Sequence, residues 1–129
     1  MHAGPEHDGQ VMGRANATHY RWGEVCDGWQ LLARGDLSVI EERVPPGAGE
    51  VAHQHVRARQ FFYVLSGTAT LEFDSETVSF GAGQGVHVAP GTVHRLCNRS
   101  TTEVVFLVIS APTTRGDRID QQAPCGPID

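Results

Sequence analysis

The sequence lacks the features that mark membrane-spanning, secreted or nucleic-acid-binding proteins. No apolar run approaches the roughly 20 residues that a transmembrane helix needs. The N-terminal stretch MHAGPEHDGQ has neither the basic start nor the apolar centre of a signal peptide. Lys and Arg number 10 against 15 Asp and Glu, and they form no basic stripe. We therefore expect neither a membrane nor a nucleic acid as a partner.

Cysteine is also scarce, and its pattern does not indicate a disulfide framework. Cys26, Cys97 and Cys125 are odd in number and far apart in the chain. Such usage is typical of a reducing compartment, so the sequence predicts a cytoplasmic protein.

The composition is that of one ordinary globular domain. The chain has 129 residues, of which 40% are hydrophobic and 19% are charged, enough for a single hydrophobic core. Both ends are rich in chain breakers and polar residues and lack apolar periodicity. We predict a flexible leader over 1–18, a domain over 19–112 and a C-terminal tail over 113–129.

The segments between these ends are short, apolar and rich in β-branched and aromatic residues, with Gly or Pro between them. No window shows a convincing helical period, so the pattern predicts an all-β sandwich or barrel. The predicted strands are 29–33, 37–44, 50–56, 60–65, 68–73, 77–80, 85–89, 93–98 and 103–110.

Four residues form a candidate metal site. His53 and His55 stand two apart in EVAHQHV, and side chains at i and i+2 of a strand share one face, which makes a two-point chelate. Gln60 opens the next strand; if it turns inward, Phe62 lines the same face and keeps the site dry. His94 follows a Pro-Gly turn that can bring it back towards the first pair.

The spacing of these residues resembles the first motif of the cupin family. Gly47-x5-His53-x-His55-x4-Gln60-x6-Gly67 is similar to the segment in which cupins place two His and a Glu on a metal. Here Gln stands where Glu is usual.

The second cupin motif, which supplies the last His, is matched further along the chain. The segment reads Gly83-x5-Ala89-x-Gly91-x2-His94-x3-Asn98, with Ala89 where Pro is usual. The resemblance covers about residues 30–110 and implies a small single-domain, RmlC-like jelly-roll barrel, a double-stranded β-helix. It also implies a divalent metal ion as cofactor, and the ligand set suits Zn, Mn, Fe, Ni or Co.

Gln60 is the difference from the usual cupin motif that affects the chemistry of the site. A site of three neutral His and one Gln leaves the metal's dipositive charge unscreened, which makes it a stronger Lewis acid and favours a trivalent state less. This favours isomerase or lyase chemistry on a small polar metabolite such as a sugar or sugar acid. Small cupins that resemble uronate ring-opening enzymes share this ligand set. A mononuclear iron dioxygenase and a binding protein without turnover are the alternatives.

Three further residues are candidates for acid–base or oxyanion roles. Strand alternation sends Glu42 to one face and Glu41 to the other, so one of these carboxylates faces the barrel interior. Tyr63 and Arg95 are candidates for binding a substrate oxyanion or carboxylate.

The outward faces of the predicted strands are unusually apolar. Phe61, Leu65 and the run VVFLVI need covering, and small cupins commonly pair, so we expect a homodimer that binds a small-molecule ligand or substrate. Trp22 and Trp29 precede the predicted motifs and either stack on a ligand or pack at an end or interface of the barrel.

Overall fold

The computed structural model describes residues 8–121, and these residues form eleven strands. Residues 1–7 of the predicted leader lie outside the described residues, and so do residues 122–129, which include Cys125. The strands are β1 (Thr18–Trp22), β2 (Cys26–Ala33), β3 (Ser38–Val44), β4 (His53–His55), β5 (Arg59–Ser66), β6 (Thr68–Phe73), β7 (Thr77–Gly81), β8 (Gly85–Val88), β9 (His94–Cys97), β10 (Val104–Ala111) and β11 (Arg118–Asp120).

The strands form two antiparallel sheets that pack as a jelly-roll barrel. The six-stranded sheet has the order β1-β2-β3-β10-β5-β8, and the five-stranded sheet has the order β11-β4-β9-β6-β7. No helix long and apolar enough to cross a bilayer is found in the described part of the chain. The two antiparallel sheets and their strand order confirm the expected all-β fold.

Strand alternation separates a buried inner face from an outer face. In β5, Gln60, Phe62 and Val64 are buried while Phe61 and Tyr63 are exposed, as the alternation from Gln60 predicts. The buried side chains of both sheets meet in one core. Burying each large apolar side chain contributes about 1.5–3 kcal/mol, which holds the sheets together around the site. The core consists of Cys26, Val44, Phe62, Val64, Ala69, Leu71, Phe80, Val88, Leu96, Val104, Phe106 and Val108.

The barrel extends beyond the predicted limits 19–112 at both ends. The sequence predicted nine strands and missed β1 and β11, because each is short and polar. The predicted tail contributes β11, which pairs with β4, and Asp117 just before it is buried and accepts the backbone N–H groups of Arg57 and Ala58.

The described end of the predicted leader is also attached to the barrel. The Arg14 guanidinium stacks on the Trp29 ring at 3.9 Å and donates to the Glu41 carboxylate at 2.6 Å. These contacts explain why the chain before β1 follows the outer face of the six-stranded sheet instead of leaving it.

Candidate metal centre

Three imidazoles converge between the sheets. His53 and His55 lie on β4, and His53 is the cross-strand partner of His94 on β9. One ligand nitrogen from each ring lies within 4.8 Å of the others, and all three residues are buried. The structure thus brings together the three histidines that the two sequence motifs predicted as metal ligands.

Hydrogen bonds to main-chain carbonyls set the tautomer of two of these rings. His53 Nδ1 lies 2.7 Å from the Val51 carbonyl oxygen, and His94 Nδ1 lies 2.8 Å from that of Thr92. A carbonyl only accepts, so each Nδ1 carries the proton and each Nε2 keeps a free lone pair. This is how metal-ligating histidines are usually oriented.

Burial keeps the three imidazoles neutral. It is the largest cause of the lowered pKa of His53 and of His94. Burial, followed by the nearby charges of the other two rings, lowers the pKa of His55 to about 4. All three rings are therefore unprotonated at neutral pH, and only unprotonated imidazole binds a metal.

Gln60 is oriented by a serine on the neighbouring strand. Gln60 and Ser110 are cross-strand partners in β5 and β10, and Gln60 Nε2 donates to Ser110 Oγ at 3.2 Å. The amide oxygen of Gln60 is buried and has no hydrogen-bond partner among the described residues. The serine thus fixes the amide so that its oxygen, the atom a cation prefers, is the free one.

These residues fit a divalent cation. His55 Nδ1, His94 Nε2 and Gln60 Oε1 are all buried acceptor atoms without a partner in the described structure. Buried polar atoms are nearly always satisfied, so three orphaned atoms beside one another indicate that a bound species normally satisfies them. Three imidazole nitrogens and an amide oxygen form a donor set for a first-row divalent metal.

A cavity of about 230 Å³ opens next to this cluster, between the inner faces of the sheets. Most of its lining residues are polar or charged, and four are apolar: Trp22, Ile40, Phe62 and Val108. The lining residues are Tyr20, Trp22, Ile40, Glu42, Glu50, His53, His55, Gln60, Phe62, Val108, Ser110, Thr114 and Arg118.

Glu42 is the glutamate of its strand that faces the cavity. It is 9% exposed, while Glu41 lies on the outer face with Arg14. Burial, and after it the charge of Glu50, raise the pKa of Glu42 to about 8. Its carboxyl is therefore placed to exchange protons near neutral pH.

Tyr20 reaches Glu42 across the strand between them. Tyr20, Gly28 and Glu42 are successive partners on β1, β2 and β3, and the Tyr20 hydroxyl donates to Glu42 Oε2 at 3.2 Å. A Cβ on Gly28 would lie 2.3 Å from Cζ of Tyr20, so the glycine is what gives the ring its room. Burial and the nearby Glu42 raise the pKa of Tyr20, which keeps its proton on oxygen.

Glu50 supplies a second carboxyl to the cavity from the segment before β4. One of its oxygens accepts the backbone N–H of Leu96 at 3.0 Å. Burial raises its pKa, while the nearby His94 lowers it. Glu50 is thus a fixed acidic neighbour of the histidine cluster.

Two of the predicted oxyanion-binding residues do not line this cavity. Tyr63 lies on the outer face of β5 and is 36% exposed, because Phe62 and Val64 occupy the inward phase of that strand. Arg95 alternates with His94 and pairs instead with Glu72 of β6 at 2.8 Å. The prediction that both bind substrate beside the metal is therefore not supported by their positions.

The two tryptophans face opposite sides of the sheet. Trp22 lines the cavity, and its indole nitrogen is buried without a hydrogen-bond partner in the described structure. Trp29 packs on the outer face against Arg14 and His19.

A second cavity of about 550 Å³ shares Ile40 and Thr114 with the first but is lined by none of the histidines.

Several cavity residues were missed by sequence reasoning. Ser110 had a signal, since it is the polar residue in the inward phase of an otherwise apolar strand, two after Val108. Tyr20 and Arg118 had none, because their places depend on pairing between segments far apart in the chain.

Comparison with known proteins agrees with this architecture. Residues 40–110, more than half of the chain, match the cupin domain family. The chain belongs to the cupin family, whose members typically bind a divalent metal ion and small-molecule ligands.

Individual relatives are distant. The chain is 27% identical over 75 residues to the protein MJ1618 of Methanocaldococcus jannaschii, and the match covers 58% of this chain and 60% of that protein. It is similar to a double-stranded β-helix protein of Klebsiella pneumoniae at a TM-score of 0.74 and 18% identity, covering 90% of this chain and 100% of the other. A cupin-superfamily sugar phosphate isomerase of Silicibacter pomeroyi gives a TM-score of 0.70 at 20% identity, covering 81% and 76%.

Proposed function

We propose that the protein is a metal-dependent enzyme that uses Lewis-acid and acid–base chemistry on a small polar metabolite, as an isomerase or lyase. The observation that carries the proposal is the convergence of His53, His55, His94 and the free oxygen of Gln60 on a cavity that also contains Glu42. A structural metal site is closed by its ligands, whereas a catalytic one adjoins space for substrate. The similarity to a sugar phosphate isomerase of the same fold is in keeping with this class of reaction.

His53, His55, Gln60 and His94 are the proposed ligands. A divalent ion bound by them would polarise a substrate hydroxyl or carbonyl oxygen, and with only neutral ligands it would keep its full charge. Phe62 covers the inner side of the site and limits the access of water.

Glu42 is the proposed acid–base group. Its ionised form would take the proton from a hydroxyl-bearing carbon next to the substrate carbonyl, and its neutral form would return that proton to the former carbonyl carbon. The hydroxyl proton passes to the former carbonyl oxygen, so the isomerisation balances. The Tyr20 hydroxyl stabilises the ionised form through its hydrogen bond and lowers the pKa of Glu42.

The proposal is tested by metal content and proton exchange. We expect purified protein to bind about one equivalent of Zn²⁺, Mn²⁺, Fe²⁺, Ni²⁺ or Co²⁺, and metal-loaded protein in D₂O to exchange a carbon-bound proton of a sugar or sugar acid. Glu42→Gln should abolish the exchange while metal binding persists, whereas Glu41→Gln on the outer face should change neither. Exchange that continues in Glu42→Gln would contradict the role of Glu42. Oxygen consumption by the Fe²⁺ form would instead indicate a dioxygenase, and metal binding without turnover would indicate a binding protein.

We also propose that the protein is a homodimer that uses the outer face of the six-stranded sheet. Phe61, Tyr63 and Leu65 on β5 are 36–44% exposed, and Leu107 and Ile109 lie beside them on β10. This strip is apolar and uncharged, so a second copy of itself is a chemically matched partner.

The dimer is checked by the mass in solution. Phe61→Asp should give a monomer in size exclusion with light scattering. Val25→Asp, which changes an exposed apolar residue in the turn between β1 and β2, should leave the dimer intact. A wild-type monomer would refute the dimer and leave the metal site untouched.

Cys26 and Cys97 are free and buried in the structure, and this supports a reducing compartment as the place of action. The cytoplasmic location stays a prediction.

A further inference from the structure

The cavity beside the histidines has one cationic side chain among the described residues that line it. That side chain is Arg118 of β11. Arg118 is the cross-strand partner of His55, and directly opposed residues of an antiparallel pair project to the same face. The pairing therefore places the guanidinium at the cavity, one strand away from a proposed metal ligand.

Arg118 is positioned by two hydrogen bonds, and these leave one of its guanidinium nitrogens available. Its Nε donates to Asp120 at 2.5 Å, and Nη2 donates to the Val51 carbonyl at 3.4 Å. Its Nη1 has no hydrogen bond in the described structure. Both side chains of this ion pair are partly solvent-exposed, Arg118 at 42% and Asp120 at 58%, and Asp120 does not line the cavity.

The cavity also contains an orphaned donor. The indole N–H of Trp22 is buried and unpartnered in the described structure, and the ring lines the same space. A buried N–H without a partner is energetically unfavourable, and an acceptor oxygen of a ligand would relieve that cost. The residues that line the cavity thus include two with a donor that has no partner in the described structure, and one of these donors is charged.

We propose that the ligand of this site is a small acid that binds the metal at one end and places a second carboxylate on Arg118, with Trp22 donating to one of its oxygens. This inference rests on the proposed function, because the first end of the ligand is held by the metal. The guanidinium fork matches a carboxylate geometrically. Glu42 and Glu50 line the same space and repel a dianionic phosphate more than a carboxylate.

The volume of the cavity favours a small acid over a drug-sized ligand. At about 230 Å³ it is smaller than the roughly 300–1,000 Å³ pockets that hold drug-sized ligands. Cβ atoms of opposed residues lie about 5 Å apart, so the metal and the guanidinium are within the reach of one short acid.

The test compares two acids that differ only in the second carboxylate. L-Malate and L-lactate share the hydroxy-carboxylate end, and malate carries an extra carboxylate where lactate has hydrogen on its methyl carbon. Their dissociation constants are measured by calorimetry on the Co²⁺-loaded full chain. We expect the wild type to bind malate about tenfold more tightly than lactate.

The variants assign that preference to Arg118. Arg118→Gln should bring the malate-to-lactate ratio close to one, and Arg118→Lys should keep part of it, because Lys retains the charge but not the fork. Arg21→Gln is the matched control, since Arg21 lies on the outer face of β1 and should keep the wild-type ratio. Trp22→Phe should weaken both acids several-fold without changing the ratio.

The outcomes separate this inference from the metal proposal. Failure to bind Co²⁺ would contradict the proposed function itself. Normal Co²⁺ binding with no preference for malate in the wild type, or a preference that survives in Arg118→Gln, would overturn the role of Arg118 and leave the metal site standing. If Arg118→Gln does not fold, a preference for malate in Arg118→Lys that is as large as in the wild type gives the same refutation.

Discussion

The Tyr20 hydroxyl donates to the Glu42 carboxylate from two strands away, at 3.2 Å, over a strand that carries glycine at the crossing point. Glu42 is therefore not an isolated buried acid. Its other neighbour, Glu50, has like charge and raises the pKa of Glu42, whereas the Tyr20 hydrogen bond lowers it. The protonation of Glu42 therefore reflects burial, repulsion and one hydrogen bond together.

Gly28→Ala should break this relationship. The new Cβ would overlap the Tyr20 ring, which must shift, and overpacking of this kind costs about 1–3 kcal/mol. We expect a lower free energy of unfolding in urea and a loss of the tyrosine hydrogen bond. Gly35→Ala is the control, because a Cβ there meets nothing within 4 Å. Equal stability of the two variants would contradict the packing described.

Glu42→Gln should change how stability depends on pH in the metal-free protein. The pKa of Glu42 is raised by burial from 4.5 in the unfolded chain to about 8, so between these values the native state holds a proton that the unfolded state has lost. The contribution of Glu42 to stability therefore falls as the pH rises from about 4.5 to 8, by up to about 5 kcal/mol. Glu42→Gln should make stability fall less steeply with rising pH than in the wild type, because the other buried groups still titrate, and Glu41→Gln should keep the wild-type slope, as measured by urea unfolding at several pH values. An unchanged slope in Glu42→Gln would refute the raised pKa.

Ser110→Ala should weaken metal binding without unfolding the protein. The hydroxyl orients the Gln60 amide, and loss of a residue that orients a ligand typically costs 10–100-fold in metal affinity. The affinity is measured by competition with a chelator of known strength. Ser66→Ala, at the exposed end of β5, should bind metal as the wild type does. Wild-type affinity in Ser110→Ala would mean that the Gln60 oxygen is not a ligand.

Gln60→Glu tests the charge of the site. A carboxylate cancels one unit of the metal's charge, so we expect tighter binding of the divalent ion, slower Lewis-acid chemistry and a lower Fe(III)/Fe(II) potential. The readouts are metal affinity, proton exchange and the potential of the iron form. If all three stay at their wild-type values, the neutral ligand does not determine the chemistry.

The sequence predicted the fold and the histidine cluster because both depend on local patterns. Alternation in β5 placed Gln60 and Phe62 inward, and the spacing of His53 and His55 on one strand required only that the strand exist. The acidic and cationic parts of the cavity could not be predicted in the same way. Whether Glu42 or Glu41 faces inward depends on the register of β3 against β10, and Arg118 depends on a pairing with β4 across more than 60 residues.

The prediction about Tyr63 and Arg95 shows why residue type alone misleads. Both stand next to inward-facing neighbours in the sequence, and a one-residue step along a strand reverses the face. Arg95 also has a carboxylate opposite it, because Glu72 is its cross-strand partner, and this pairing keeps its side chain on the outer face.

The residues that line the cavity come from both ends of the described chain, since they include Tyr20 in β1 and Arg118 in β11. β10 pairs with β3 and with β5, so the six-stranded sheet depends on contacts between segments that are far apart in the chain. Topologies with many such contacts fold slowly. A chain still emerging during synthesis therefore has no complete site until its last described strand has paired with β4. The proposed metal ligands lie on β4, β5 and β9 and precede β11 in the chain, so only the cationic side of the cavity depends on the last described strand.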